Sequence, residues 1–242
     1  MATSGDLDAY KRAAAAGALD YVRDGMKIGL GTGSTAEAFL ELLAAKVRAG
    51  LNIVGTPTSQ RTADRARALG IAIEDLDDLG ELDLVVDGAD EADHDLSLIK
   101  GGGGALLREK IVATSAAQMV VIADETKLVN KLGAFDLPVE IVPFAHGTTA
   151  ARIVSASNKL GYSDLVPKLR MKNGAPFKTD NGNYIYDCPY GAISDAKALA
   201  DTLSRLAGVV EHGLFVGIAT SLVVAGAHGL SITNRKFSRE HP

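Results

Sequence analysis

Hydrophobic and polar positions follow two rhythms along this chain, and the change between them divides it. Residues 8–24 (DAYKRAAAAGALDYVRD) place apolar side chains at helical spacing in an alanine-rich background and stop at Gly25. That pattern predicts an amphipathic helix with a glycine end. Met26 to Leu30 is short and apolar, and it runs through GLGTGSTA into the strongly amphipathic AEAFLELLAAKVRAG. A strand, a glycine loop and a helix are predicted there. Next, LNIVGTP predicts a strand, SQRTADRARALG a helix ending at its glycine, and IAIEDL a short strand. LDLVVDGAD predicts a strand apolar enough to be buried on both faces and ending in acids. KGGGGALLREKIVATSA predicts a second glycine loop and helix, followed by the strand MVVIAD and a loop over 125–131. Strands alternating with helices in this way predict a doubly wound, mainly parallel α/β sheet.

The rhythm changes near residue 132. PVEIVPF reads as a strand, TTAARIVSASNKLG as a helix, LVPKLRM and the turn-rich TDNGNYIYD as strands, and AISDAKALADTLSRLAG as a helix. This order predicts a smaller α+β unit over 132–207. VVEHGLFVGIATSLVVAG then predicts two short strands that rejoin the first sheet. The small unit is therefore expected as an insertion in a larger domain made of 1–131 and 208–242. The tail NRKFSREHP is expected to fray. No internal repeat, low-complexity linker or heptad pattern is present.

Composition narrows the function classes. With 25 Lys and Arg against 30 Asp and Glu, the 242-residue chain carries a formal charge of −5. It has no basic block to attract nucleic acid or anionic lipid, so any anionic ligand needs a local site. An apolar fraction of 47% suffices for a sizeable core without disulfides or metal. The lone Cys188 cannot form an internal disulfide, and His94, His146, His212, His228 and His241 lack zinc spacing. No structural metal and a reducing compartment follow as expectations. Neither a signal-like start nor an apolar run of about 18 residues is present, which gives a cytoplasmic expectation with no membrane partner.

Three loops carry candidate chemistry. Gly29-Leu30-Gly31-Thr32-Gly33-Ser34-Thr35 lies between a predicted strand and a helix N-terminus, where amides stay unpaired and hydroxyls add donors. It reads either as a phosphate site or as a tight turn with a Ser/Thr cap. The spacing fails as a dinucleotide fingerprint, because Ser34 stands where the third glycine belongs, and no G-K-[ST] follows as a Walker loop requires. Asp87-Gly88-Ala89-Asp90-Glu91 follows a buried strand, so its carboxylates emerge at the carboxyl edge of the sheet. They read as acceptors for sugar hydroxyls, as proton carriers, as cation ligands or as a solvated acidic turn. Lys100 precedes Gly101, Gly102, Gly103 and Gly104, a run that costs chain entropy and suits close approach of backbone to a ligand. Such a loop can offer amides to a developing oxyanion, with Lys100 as a movable cation. Glu109, expected one to two turns into the next helix, reads as a general base or as an exposed helix residue paired with a nearby cation. Lys127 reads as a phosphate neutraliser or as ordinary surface charge.

Together the loops offer hydroxyls, carboxylates and a glycine-lysine oxyanion trap, without a nucleophile-base pair, metal cluster or redox centre. That inventory suits a phosphorylated polyol and proton transfer beside a carbonyl through an enediolate.

GTGST at 31–35, DGADE at 87–91, KGGGGALLREK at 100–110 and ADETK at 123–127 closely resemble ribose-5-phosphate isomerase, type A. LPVEIVPF at 137–144, TDNGNYIYD at 179–187 and GVVEHGLF at 208–215 extend the resemblance over nearly the whole chain. It implies a cofactor-independent aldose-ketose isomerase of the pentose phosphate pathway, interconverting D-ribose 5-phosphate and D-ribulose 5-phosphate through a cis-enediolate. It also implies a Rossmann-like main domain with an inserted ferredoxin-like one, in a homodimer or homotetramer. By the same resemblance Glu109 is the general base, Lys100 and the Gly101 to Gly103 amides stabilise the oxyanion, and Asp87 and Asp90 handle ring opening and hydroxyls. Gly88 and Ala89 belong to that acidic substrate loop. Thr32, Gly33, Ser34 and Thr35 hold the phosphate end, and Lys127 contacts phosphate or substrate, as does Lys11 on a less distinctive match. Departures are confined to His94 and Asp95 and to the tail from Asn234. Alternatives from other classes are a sugar-phosphate sensor, which needs an output module not seen here, and a related deaminase or CoA transferase.

Overall fold

A computed structural model describes residues 3–235 of the chain. The first helix, α1 (Ser4–Ala18), starts four residues earlier than the apolar pattern implies. The cause is a capping box: the Thr3 hydroxyl accepts from the Asp6 amide at 3.3 Å, while the Thr3 amide donates to the Asp6 carboxylate at 2.8 Å. The helix ends well before Gly25, in a 3-10 turn over Leu19–Tyr21. Its buried Ala14, Ala15, Gly17 and Ala18 let the backbone lie close on the sheet.

β1 (Lys27–Leu30), α2 (Ser34–Arg48), β2 (Val54–Pro57) and α3 (Gln60–Ala68) follow as expected. Residues 71–76 do not form the expected strand. They make one parallel bridge, Gly55 to Ile73, and pass into the single turn α4 (Leu76–Leu79). β3 (Leu84–Gly88) and the two-residue strands β4 (Glu91–Ala92) and β5 (Leu98–Ile99) lead to α5 (Leu106–Thr114) and β6 (Met119–Asp124). β7 (Leu137–Ile141) and α6 (His146–Lys159) open the second rhythm. The alternating LVPKLRM segment yields only β8 (Lys168–Leu169) and β9 (Met171–Lys172), and β9 turns back into β10 (Ala175–Pro176). β11 (Tyr184–Cys188), α7 (Ala196–Leu203), β12 (Val209–His212), β13 (Leu214–Phe215), β14 (Ser221–Gly226) and β15 (Gly229–Asn234) complete the order.

The main sheet runs β15-β14-β6-β3-β1-β2, parallel except for the β15 edge. Both faces are covered. Leu84 and Val86 of β3 pack with Phe39, Leu40 and Leu43 of α2 and the alanines of α1. Val85 points the other way, among Val112, Ala113 and Phe215. The second sheet is antiparallel, β12-β7-β11-β8, and its core includes Ile153 and Leu199 of α6 and α7.

Of the two strands expected to rejoin the main sheet, the second does so as β14, while the first breaks into β12 and β13 and does not. β12 pairs with β7 in the small sheet, and β13 pairs with β5 in a three-stranded sheet with β4. Only β14 returns, and β15 folds back on it as a hairpin that hydropathy did not reveal, because all its residues are exposed. Of the tail expected to fray, Asn234 ends β15; residues 236–242 lie outside the described residues. Among the described residues no helix is long and apolar enough to cross a membrane.

Candidate active site

In the sheet order β6-β3-β1, the loops after three neighbouring strands leave the same carboxyl edge, where open α/β sheets take ligands. With the 100–103 loop they enclose a cavity of about 240 Å³. Thr32, Gly33, Ser34, Thr35, Gly88, Ala89, Asp90, Lys100, Gly101, Gly102, Gly103, Glu109 and Lys127 all line it, and so does Lys11. Asp87 does not; it is buried directly behind the lining residues, 1% exposed. Leu7, Asp124 and Thr126 complete the wall, and sequence reasoning had not singled them out. ADETK had drawn attention only through its lysine, yet Asp124 is buried and accepts hydrogen bonds from the Thr126 amide and hydroxyl. A larger open cleft of about 650 Å³, between α3, residues 74–78 and α5, contains none of these groups. The candidate groups are thus gathered in the smaller cavity.

The geometry of the 31–35 loop follows from one glycine. A Cβ on Gly31 would stand 2.2 Å from Asp87 Oδ1, so only glycine lets β1 end against that carboxylate. Asp87 Oδ1 then accepts from the Thr32 amide at 3.1 Å and the Gly88 amide at 2.7 Å, tying two loops together. The Thr32 hydroxyl turns away from the cavity. It lies 2.7 Å from Thr58 Oγ1, 2.8 Å from Ser59 Oγ and 3.0 Å from Thr62 Oγ1, in a buried hydroxyl cluster behind the loop. Thr32 therefore positions the loop, while Ser34 and Thr35 remain at the N-terminus of α2. The first bond into that helix runs from Glu37 N–H to Gly33 O at 2.9 Å, which leaves the earlier amides for a ligand.

At the opposite end, Lys100, Asp87 and Glu109 form a buried cluster. The ammonium is 2.9 Å from Asp87 Oδ2 and 3.4 Å from Glu109 Oε1, and it donates to the Gly88 carbonyl at 2.6 Å. Lys100 is 2% exposed and clamped, not the movable cation expected from its glycine neighbours. Glu109 sits in the first turn of α5, nearer the loop than the expected one to two turns, and is 4% exposed. The exposed-helix reading fails for it. Its Oε2 has no hydrogen-bond partner, and Asp87 Oδ2 has only the ammonium beside it.

Two carboxylates share one ammonium in a water-poor space. Burial pushes Glu109 up to about 8, with Lys100 opposing and the Asp87 and Asp90 charges adding to the rise. Burial also raises Asp87 despite the ion pair, while the two carboxylates hold Lys100 protonated against its own desolvation. The ionisation of each of these groups therefore depends on the others.

The remaining acids of DGADE separate in role. Asp90 lines the cavity and accepts from the Gly102 amide at 2.8 Å; a Cβ on Gly102 would come within 2.5 Å of that carboxylate. Glu91 points away and is buried, accepting from the Gly133 amide at 2.7 Å and the Phe135 amide at 2.5 Å, where the chain crosses to the small sheet.

A family model described as ribose 5-phosphate isomerase A (phosphoriboisomerase A) matches residues 54–229. The chain belongs to the ribose 5-phosphate isomerase A family. The ribose-5-phosphate isomerase A of Rhodopseudomonas palustris is 56% identical over 225 residues, covering 93% of this chain and 97% of that protein. That of Nitrobacter hamburgensis is 54% identical over 230 residues, covering 95% and 99%. Among solved structures, the ribose 5-phosphate isomerase of Plasmodium falciparum superposes with a TM-score of 0.90 at 37% identity, covering 95% of this chain and 100% of that one. A D-ribose-5-phosphate isomerase in complex with phospho-erythronic acid gives 0.88 at 38% identity, covering 95% and 99%. The fold is thus that of ribose-5-phosphate isomerase A structures: a mainly parallel α/β sheet with small antiparallel sheets beside it.

Proposed function

We propose that this protein interconverts D-ribose 5-phosphate and D-ribulose 5-phosphate in the cavity between Thr35 and Glu109. The observation that carries the mechanism is Glu109: a buried carboxylate at the cavity wall, with one oxygen near Lys100 and the other without a partner. In the open-chain aldose, Glu109 removes the proton from C2; the C2–H electron pair forms the C1–C2 double bond and the carbonyl π pair moves onto O1, giving an enediolate. Lys100 and the glycine-loop amides stabilise the negative oxygen. Glu109 returns its proton to C1 as the C2 hydroxyl proton passes to O1, and the C2 carbonyl forms. Asp90 accepts from sugar hydroxyls and assists ring opening, while Asp87 acts through Lys100, which it holds in place. The phosphate takes the α2 amides and the Ser34 and Thr35 hydroxyls, with Lys11 and Lys127 balancing its charge. Phospho-erythronic acid, bound in a relative's structure, joins a phosphate to a planar carboxylate that resembles an enediolate in charge and shape.

The direct test is formation of ribulose 5-phosphate from ribose 5-phosphate in chelator, with glucosamine 6-phosphate as the contrasting substrate. Turnover of the first alone supports the reading; amine release from the second overturns it. A general base that must be ionised in the free enzyme makes kcat/KM climb with pH and level off, with an apparent pKa near 8. A profile flat between about pH 6 and pH 9 contradicts this assignment. At the other end, Thr35→Ala raises KM by roughly tenfold and leaves kcat nearly intact, the result of losing a bond to a charged group equally in ground and transition states. A loss confined to kcat would move Thr35 out of the phosphate site.

A further inference from the structure

We infer that Arg170 of the small sheet is a positioning residue for the isomerisation, setting the glycine-loop peptides so that the Gly103 amide faces the reacting oxygen. The inference rests on the assignment of that loop to the oxyanion.

Arg170 lies between β8 and β9, where its amide donates to Ile185 O at 2.8 Å and keeps it in the sheet. Its guanidinium reaches across to the main domain. Nη1 donates to the carbonyls of Gly101 at 2.9 Å and Gly102 at 3.1 Å. Nε donates to Asp187 Oδ2 at 2.9 Å, and Nη2 donates to the other Asp187 oxygen. A planar fork held by a carboxylate on one side and two carbonyls on the other leaves little freedom to either. The neighbouring Phe177 ring, just after β10, fills the space that a side chain on Gly104 would need, so the 170–177 segment holds the loop at two points.

A trans peptide points its carbonyl and N–H in opposite directions. With the Gly101 carbonyl on Arg170, the paired Gly102 N–H is turned to Asp90, which it meets at 2.8 Å. With the Gly102 carbonyl also on Arg170, the Gly103 N–H points away from the guanidinium. Gly103 lines the cavity, and among the described residues its amide has no hydrogen-bond partner. Of these two amides only that of Gly103 is left for an oxyanion. A cationic donor on the carbonyl also strengthens the amide as a donor through the peptide dipole. Such an effect is felt most by a full negative charge, hence in the enediolate more than in the substrate.

The test measures kcat, KM and the affinities of phospho-erythronic acid and inorganic phosphate for the wild type, Arg170→Ala, Arg170→Lys and Asp187→Asn. Misplacing one donor is expected to lower kcat by about 10- to 100-fold in both Arg170 variants, with KM and phosphate affinity nearly unchanged. Lysine fails to rescue because an ammonium cannot span two carbonyls and a carboxylate. Phospho-erythronic acid affinity falls in step with kcat. Asp187→Asn keeps the guanidinium but loosens it, so it shifts the same quantities in the same direction by less. An open crevice beside Gly102, Arg170 and Asp187 admits a small cation, so millimolar guanidinium is expected to restore part of the Arg170→Ala turnover. Wild-type kcat in both Arg170 variants, or equal loss of phosphate and phospho-erythronic acid binding, overturns the inference. If Arg170→Ala does not fold, Arg170→Lys and Asp187→Asn decide it. A wild-type protein without isomerase activity defeats the parent assignment instead, and the two failures are thereby distinct.

Discussion

Glu109→Gln leaves a folded protein whose turnover is lower by about 10²- to 10⁴-fold, the usual worth of a general base. Gln is nearly isosteric but cannot accept the C2 proton. Lys100 retains Asp87 at 2.9 Å, so the substitution does not strand the ammonium. The sign of the stability change is also fixed. A carboxylate whose folded pKa is raised to about 8 from 4.5 contributes stability fully below the unfolded value and loses it as pH rises through the folded one. Gln has no ionised form to penalise, so the variant holds its stability between about pH 4.5 and about pH 8, the window over which the wild type declines before levelling off. Turnover with ribose 5-phosphate, KM and melting curves at both ends of that window check the expectation. Turnover within a few fold of wild type would transfer the base to another residue and remove the central step of the mechanism.

Lys100→Met has the largest expected effect on stability. Asp87 and Glu109, 1% and 4% exposed, both face this ammonium, and methionine leaves them without the cation that offsets their desolvation. Breaking a buried ion pair by deleting one partner costs about 3–5 kcal/mol. In a chain of this size that lowers Tm by about 6–20 °C. The loss depends on pH in a defined sense. Without Lys100 both folded carboxylate pKa values rise further, so the destabilisation grows as pH increases and shrinks toward about pH 4, where protonation removes the buried charges. Turnover disappears along with the oxyanion cation. Thermal unfolding at acid and alkaline pH measures this directly. A Tm that stays put at alkaline pH would mean that the cluster is less buried than its geometry indicates.

Much of the site was legible because it is local in sequence. Residues 31–35 form a loop suited to phosphate through the order strand, glycines, helix, and that order can be read one residue after another. The acids at 87–91 and the glycines at 101–104 were readable for the same reason. Roles that depend on where a side chain points were not. Thr32 looked like a substrate hydroxyl, but it turns into a hydroxyl cluster supplied by residues 58–62. Lys100 looked movable beside four glycines, yet it is locked by carboxylates 13 residues before and 9 residues after it. Glu91 shares a motif with Asp87 and Asp90 and serves instead to hold the 133–135 backbone. Arg170 gave no signal, since a lone arginine in an alternating stretch carries no local pattern, and its partners in the glycine loop lie about 70 residues away.

The parallel α/β architecture, the change of rhythm near 132, the three loops and the family are written in the order of residues. Each follows from periodicity or from short runs whose chemistry depends on near neighbours. Packing between distant segments sets which sheet receives β12 and β13, where the first helix begins, and which carboxylate faces the cavity and which supports it from behind. Strand pairing and burial are relations between distant segments, chosen by how whole surfaces pack. The environment that drives Glu109 up to about 8 exists only once Lys100, Asp87 and the surrounding core exclude water from it together.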